Sequence, residues 1–112
     1  MRDYIQVVTT TETKDDARRI ARALVESRLA GCVQILGPIT STYWWEGEIA
    51  EAEEYMCVVK TGQDLFTSVE AAIKAVHPYD VPEILSMPVG ASSQNYLDWL
   101  NGELISHRND VG

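Results

Sequence analysis

Residues 32–60 have the sequence CVQILGPITSTYWWEGEIAEAEEYMCVVK, and this segment predicts a long β-hairpin. Its first part is rich in β-branched and aromatic residues, which favour strands. Glu46-Gly47 is a turn signal, so residues 48–60 are expected to fold back on residues 32–45. Gly37-Pro38 interrupts the first arm and predicts a bulge or a bend, because proline cannot donate a backbone hydrogen bond. Both arms are longer than a small sheet needs for itself.

The residues before the hairpin predict a strand followed by a helix. Residues 4–10 form a β-branched run typical of a mostly buried strand. Apolar side chains then recur at helical spacing as far as Val25, with Thr13 as the N-cap and Gly31 as the signal that stops the helix.

The residues after the hairpin predict a second helix, a short strand and a terminal helix. The second helix has Leu65, Val69, Ala72, Ile73 and Val76 on one face and ends at Pro78. Residues 83–87 form the strand, and Ser92 or Ser93 caps a small helix that includes residues 96–100.

The resulting order is βαββαβ with an added helix, which predicts an α+β fold. Such an order favours a split βαβ sandwich, in which two helices cover one face of a four-stranded antiparallel sheet. We expect one domain over residues 1–105 and a flexible tail over residues 106–112, since the chain contains no linker or repeat.

The composition excludes several classes of function. The 112 residues include 17 acids and 9 bases, for a net charge of −8, which argues against binding to nucleic acid or to an anionic membrane surface. No stretch approaches the roughly 18 apolar residues of a membrane helix. Two cysteines are too few for a disulfide scaffold, so we expect free thiols and a cytoplasmic location.

The strand sequences also predict association between copies of the chain. Residues 55–59 and 5–8 are apolar at nearly every position, so side chains on both faces of the sheet favour burial. Two helices can cover only one face, and a second copy is the simplest cover for the other. The alternative is a monomer whose sheet is buried within one chain.

The segment HPYDVPE, residues 77–83, is the best candidate for a binding site. The segment contains two prolines and carries an imidazole, a phenol and two carboxylates. Fixed backbone angles hold such groups with little entropy loss on binding. The alternative is a rigid connector in which His77 caps carbonyl groups and Glu83 pairs with Lys60 or an arginine. No nucleophile with an adjacent base can be named, so we do not expect an enzyme.

Metal binding is a second possibility for this loop. His77 and Glu83 are usable ligands, and Cys32 or Cys57 could supply a thiolate to copper or zinc. Because His107 is the only other histidine, any such site would be open, weak or shared between subunits. The acids of residues 46–54 could attract hard cations, or could form a solvent-facing edge that repels other strands.

Five segments resemble the CutA divalent-cation tolerance proteins, in order from about residue 4 to residue 104. The segments are AGCV (30–33), STYWWEG (41–47), VKT (59–61), HPYDVPEI (77–84) and YLDWL (96–100). The resemblance implies a ferredoxin-like subunit with an extended hairpin and a tight homotrimer, an architecture similar to that of the PII-type signalling trimers.

The resemblance also implies a link to tolerance of copper and other divalent metals. Copper binding is attributed to some members, which would carry over to His77. Metal-binding versions can add a thiol at the end of the first strand and a second histidine before the motif, where this sequence has Thr11 and Val76.

Two hypotheses follow for the function. The first is a metal-tolerance protein that binds Cu²⁺ or Zn²⁺ weakly at a subunit boundary, with His77, Cys32 and Glu83 as ligands. The second is a PII-like sensor that binds a small molecule between subunits without catalysis. Besides His77, the residues expected to line that cleft are Ser41, Tyr43, Trp45, Lys60, Tyr79 and Glu83.

Overall fold

A four-stranded antiparallel sheet with the strand order β2-β3-β1-β4 organises the chain. The computed structural model describes residues 2–106. Its elements are β1 (Tyr4–Thr11), α1 (Lys14–Glu26), β2 (Cys32–Trp45), β3 (Glu48–Gly62), a 3-10 turn (Gln63–Leu65), α2 (Phe66–Val76), β4 (Leu85–Pro88) and α3 (Gln94–Glu103). The predicted α+β fold, a ferredoxin-like βαββαβ sandwich with an extended hairpin and a C-terminal helix, is confirmed. Apart from Ser106, the predicted flexible tail lies outside the described residues, and the domain boundary stays a prediction.

The hairpin formed by β2 and β3 has the predicted turn and the predicted bulge. Trp45 pairs with Glu48, and both intervening residues have positive φ, 50° at Glu46 and 81° at Gly47, as a two-residue hairpin turn requires. The register shifts between Leu36 and Ile39, at Gly37-Pro38. A Cβ at Gly37 would overlap the ring of Tyr55, which explains the glycine.

The start of α1 agrees with the sequence prediction, whereas its end does not. Thr13 Oγ1 accepts a hydrogen bond of 3.1 Å from the backbone N–H of Asp16, which confirms the N-cap. The helix ends at Glu26, and Arg28 adopts the left-handed conformation with φ of 60°, so the prediction that Gly31 stops it was wrong. Gly31 instead permits close packing of α3, because a Cβ there would lie 2.5 Å from Leu100 Cδ1.

The last two elements also differ in detail from their predictions. The strand begins at Leu85 and not at residue 83. Ser93 occupies the N-cap position of α3, but its side chain makes no capping hydrogen bond, and Ser92 Oγ bonds the carbonyl oxygen of Gly90.

The core lies between one face of the sheet and the helices. Val7 and Val59 are directly paired and fully buried on that face. Side chains from all three helices close it, among them Ile20, Leu24, Val69, Ile73 and Leu100. None of the described helices has the length and the apolar character needed to cross a membrane.

No described helix covers the opposite face of the sheet, which carries a group of apolar side chains. Directly paired residues lie on the same face, so the pairs of Val8 with Val58 and with Leu85 mark this surface. Large apolar side chains exposed on it include Leu36 at 49%, Leu85 at 57% and Met87 at 42%. A single chain therefore does not bury both faces, as the alternative of a self-sufficient monomer requires.

Candidate functional site

A cleft of about 1070 Å³ lies between the outer part of the hairpin and the loop of residues 77–83. Ser41, Tyr43 and Trp45 line it from β2, because side chains at every second position of a strand share one face. Tyr79 and Glu83 line it from the loop. These are five of the seven residues predicted to line the cleft, and His77 and Lys60 are not among its lining residues.

Lys60 lies away from the cleft. It pairs with Cys32 on one side and with Gln6 on the other, and its Nζ donates a hydrogen bond of 3.0 Å to Gln34 Oε1. None of the ion pairs among the described residues includes Glu83. The predicted ion pair of Glu83 with Lys60 or an arginine therefore does not form in this part of the chain.

His77 joins the loop to strand β1. Only 9% of it is exposed, at the C-terminal end of α2. Its Nδ1 accepts a hydrogen bond of 3.1 Å from the backbone N–H of Tyr79, so in the neutral ring Nε2 carries the proton and donates it to the carbonyl oxygen of Thr10 at 2.8 Å. Both ring nitrogens are thus engaged, in agreement with the connector alternative.

A buried carboxylate at the floor of the cleft belongs to Glu54, of which 7% is exposed. Its Oε2 accepts a hydrogen bond of 2.9 Å from the Tyr79 hydroxyl. Burial raises the pKa of Tyr79 above its usual range, and the hydrogen bond to Glu54 with its negative charge raises it further. The phenol therefore remains a donor at physiological pH.

Sequence reasoning missed Glu54 because it treated the acids of the hairpin as one solvent-facing group. The strand alternation contains the relevant signal: Glu54 shares its face with Met56 and Val58, on the apolar side of β3. Glu51 and Glu53, one position out of phase, are exposed.

The electrostatic character of the cleft is uniformly negative. Five carboxylates line it, and none of its lining residues is a lysine or an arginine. The acids are Glu12, Glu53, Glu54, Asp80 and Glu83. Such a concentration of one sign in a concave surface attracts cations.

Comparison with known proteins identifies the family. The sequence model of the CutA1 divalent ion tolerance proteins matches residues 5–103. The chain belongs to the CutA1 family. It is 46% identical over 94 residues to the divalent-cation tolerance protein CutA of Thermus thermophilus, covering 84% of this chain and 91% of that protein.

Two rice comparisons extend the similarity to plants. The chain is 36% identical over 96 residues to the chloroplastic protein CutA 1 of Oryza sativa, covering 86% of this chain but only 54% of that protein. The crystal structure of CutA1 from Oryza sativa matches with a TM-score of 0.90 at 34% identity, over 92% of this chain and 94% of that one. The family is named for divalent ion tolerance and is not a known enzyme family.

The metal ligands predicted for this CutA1 chain are not brought together. Cys32 is level with Gln6 in the sheet, whereas His77 contacts Thr10. Gln6 and Thr10 are four residues apart on β1, which separates the two positions by roughly 13 Å along the strand at about 3.3 Å per residue. No three His, Cys, Asp or Glu residues of the described chain converge closely enough to hold a metal ion. Within one chain, His77, Cys32 and Glu83 therefore do not fit a metal site.

Cys57, the other thiol considered as a ligand, is buried in the core of this CutA1 chain. Its Sγ donates to the carbonyl oxygen of Ala17 at 3.6 Å, and burial raises its pKa to about 11. At neutral pH it is a protonated thiol, which is a poor metal ligand.

Cys57 is expected to resist alkylation in the native protein at pH 8 and to react fully after unfolding, as measured by mass spectrometry of peptides. Burial raises the pKa of Cys57 from 9.0 to about 11. The contribution of the buried thiol to the free energy of unfolding is therefore complete below pH 9 and is lost as pH rises through 11. Rapid native alkylation of Cys57 would contradict its burial. Cys57→Ser is the control, because its free energy of unfolding should not fall in this way between pH 9 and pH 11.

Proposed function

We propose that this protein acts as a cytoplasmic homotrimer that contributes to tolerance of divalent metal ions, copper included, by binding cations without catalysis. The acidic cleft is the observation that carries this proposal. Five carboxylates, with no lysine or arginine among the described residues that line the cleft, favour cations over anions. Family membership links the chain to divalent ion tolerance in general.

The donors of the cleft indicate weak binding by a single chain. Carboxylate and phenol oxygens are hard ligands, whereas copper and zinc favour imidazole and thiolate. His77 uses both nitrogens within the fold, and no three acids converge in the described residues. Stronger metal binding would therefore need ligands from a second subunit at a shared boundary.

The trimer and the location have separate support. The helix-free face exposes Leu36, Leu85 and Met87, and a face of this kind favours cover by other copies of the chain. Cys32 and Cys57 are both free thiols, which suits a reducing cytoplasm.

Titration calorimetry of chelator-stripped protein with Cu²⁺, Zn²⁺ and Mg²⁺ tests this proposal. We expect saturable binding, weakened about threefold by Glu83→Gln, which removes one exposed charge from the cleft. Glu26→Gln, on the outer face of α1, is the matched control and should bind as the wild type does. Absence of saturable binding for all three ions would contradict the proposal.

A second candidate function is supported by the aromatic lining of the cleft. Tyr43, Trp45 and Tyr79 offer ring surfaces that a bare metal ion does not need, and the volume of about 1070 Å³ is far larger than an ion. These features favour a PII-like, non-catalytic sensor that binds a small organic molecule in a cleft at the subunit boundary.

A further inference from the structure

We propose that the cleft binds a linear aliphatic diamine or polyamine, with one ammonium group seated against Glu54. This inference rests on the sensor form of the proposed function, because it names the ligand class of the same cleft. Its basis is a buried carboxyl group with no ion-pair partner among the described residues, in a cleft lined by aromatic rings and by further carboxylates.

Glu54 is the first element of the argument. More than nine-tenths of the residue is buried, yet its carboxylate receives one hydrogen bond, from the Tyr79 hydroxyl, and no ion pair from the described residues. A buried carboxylate is costly unless a cation compensates it. No lysine or arginine lines the cleft, so a cation that compensates this carboxylate would come from outside the described residues.

The spacing of the other carboxylates favours an elongated organic cation over a metal ion. Glu12, Glu53, Asp80 and Glu83 surround the cleft with Glu54, but no three of them converge on one point. A metal ion needs convergent ligands, whereas a diamine or polyamine carries its charges several bonds apart. Separate carboxylates can therefore each meet one ammonium group.

The aromatic side chains suit the remainder of such a ligand. Tyr43 and Trp45 project from alternate positions of β2, while Tyr79 faces the cleft from the loop. Ring faces attract ammonium groups through their quadrupole and also bury methylene groups. Tyr43 is 41% and Trp45 59% exposed in the single chain.

Calorimetry of the full chain with 1,4-diaminobutane and spermidine tests the proposal, with 1,4-butanediol as the uncharged analogue. We expect both amines to bind and the diol not to bind. Glu54→Gln should weaken amine binding by about thirtyfold or more, because the buried charge partner is lost. Trp45→Leu should weaken it about threefold, and Glu26→Gln should leave it unchanged.

Thermal unfolding without amine separates a binding role of Glu54 from a structural one. In Glu54→Gln the new amide oxygen can still accept from the Tyr79 hydroxyl, and the substitution removes an uncompensated charge. This variant should therefore unfold at the same temperature as wild type or higher. A marked loss of stability, or dissociation of the assembly in native mass spectrometry, would instead identify a base of a neighbouring copy as the partner and overturn the proposal.

The remaining outcomes are equally decisive. If the amines bind no better than the diol, or if Glu54→Gln binds them as well as wild type, the inference is wrong. Saturable binding of divalent metal ions by the same sample would then leave the proposed cation-binding function standing. If neither the metal ions nor the amines bind saturably, both this inference and the proposed cation-binding function are wrong.

Discussion

Leu85→Lys is expected to convert the proposed trimer into a monomer. Leu85 lies on β4, paired with Val8, and is 57% exposed on the helix-free face. In a monomer, a change at so exposed a position alters the free energy of unfolding by only about 0.5 kcal/mol. In an interface, an unpaired ammonium group costs about 3 kcal/mol or more per subunit. Native mass spectrometry should show a shift from a species of three 12.5 kDa chains to single chains.

Val25→Lys is the matched control for this experiment. Val25 is 43% exposed, but it lies near the end of α1 on the other side of the sheet. It should leave the trimer intact, since lysine near a helix C-terminus is also tolerated well. A Leu85→Lys protein that remains trimeric would exclude this face as the interface. A wild-type protein that is chiefly a 12.5 kDa species would refute the trimer.

Much of the fold could be predicted because it depends on local chemistry. The turn at Glu46-Gly47, the bulge at Gly37-Pro38 and the cap at Thr13 each follow from conformational preferences of one or two residues. The end of α1 was harder to predict. Arg28 adopts a left-handed conformation that glycine usually occupies. Gly31 is instead needed because Leu100, which is far away in sequence, packs too close to leave room for a Cβ.

Part of the candidate site was predictable from the sequence, whereas the burial and hydrogen bonding of its side chains were not. Alternation placed Ser41, Tyr43 and Trp45 together, and the two prolines marked the loop that faces them. Whether His77 is free or engaged depends on the distance between α2 and β1, which no local pattern reports. The position of Lys60 away from the cleft likewise follows from the strand register, which pairs it with Gln6.

The second large effect is expected for His77→Ala, which should lower the free energy of unfolding by about 2–6 kcal/mol. The substitution leaves the carbonyl oxygen of Thr10 and the backbone N–H of Tyr79 without their partners, and each such loss costs about 1–3 kcal/mol in a buried setting. Tyr79 would then hold its place against Glu54 less firmly, so ligand binding in the cleft should weaken too. Urea unfolding followed by fluorescence gives the stability.

Comparison of stability with metal binding decides between the two roles considered for His77. As a connector, His77 contributes to the fold, so His77→Ala should lose stability, and Cu²⁺ binding should weaken no more than amine binding does. Ser92→Ala, which removes an exposed hydrogen bond at the start of the last helix, is the control for an ordinary surface change and should alter stability by about 0.5 kcal/mol at most. A His77→Ala protein with unchanged stability and selectively lost Cu²⁺ binding would assign the imidazole to the metal. The two hydrogen bonds at 2.8 and 3.1 Å lead us to expect the opposite, because a nitrogen already engaged must break a buried contact before it can bind an ion.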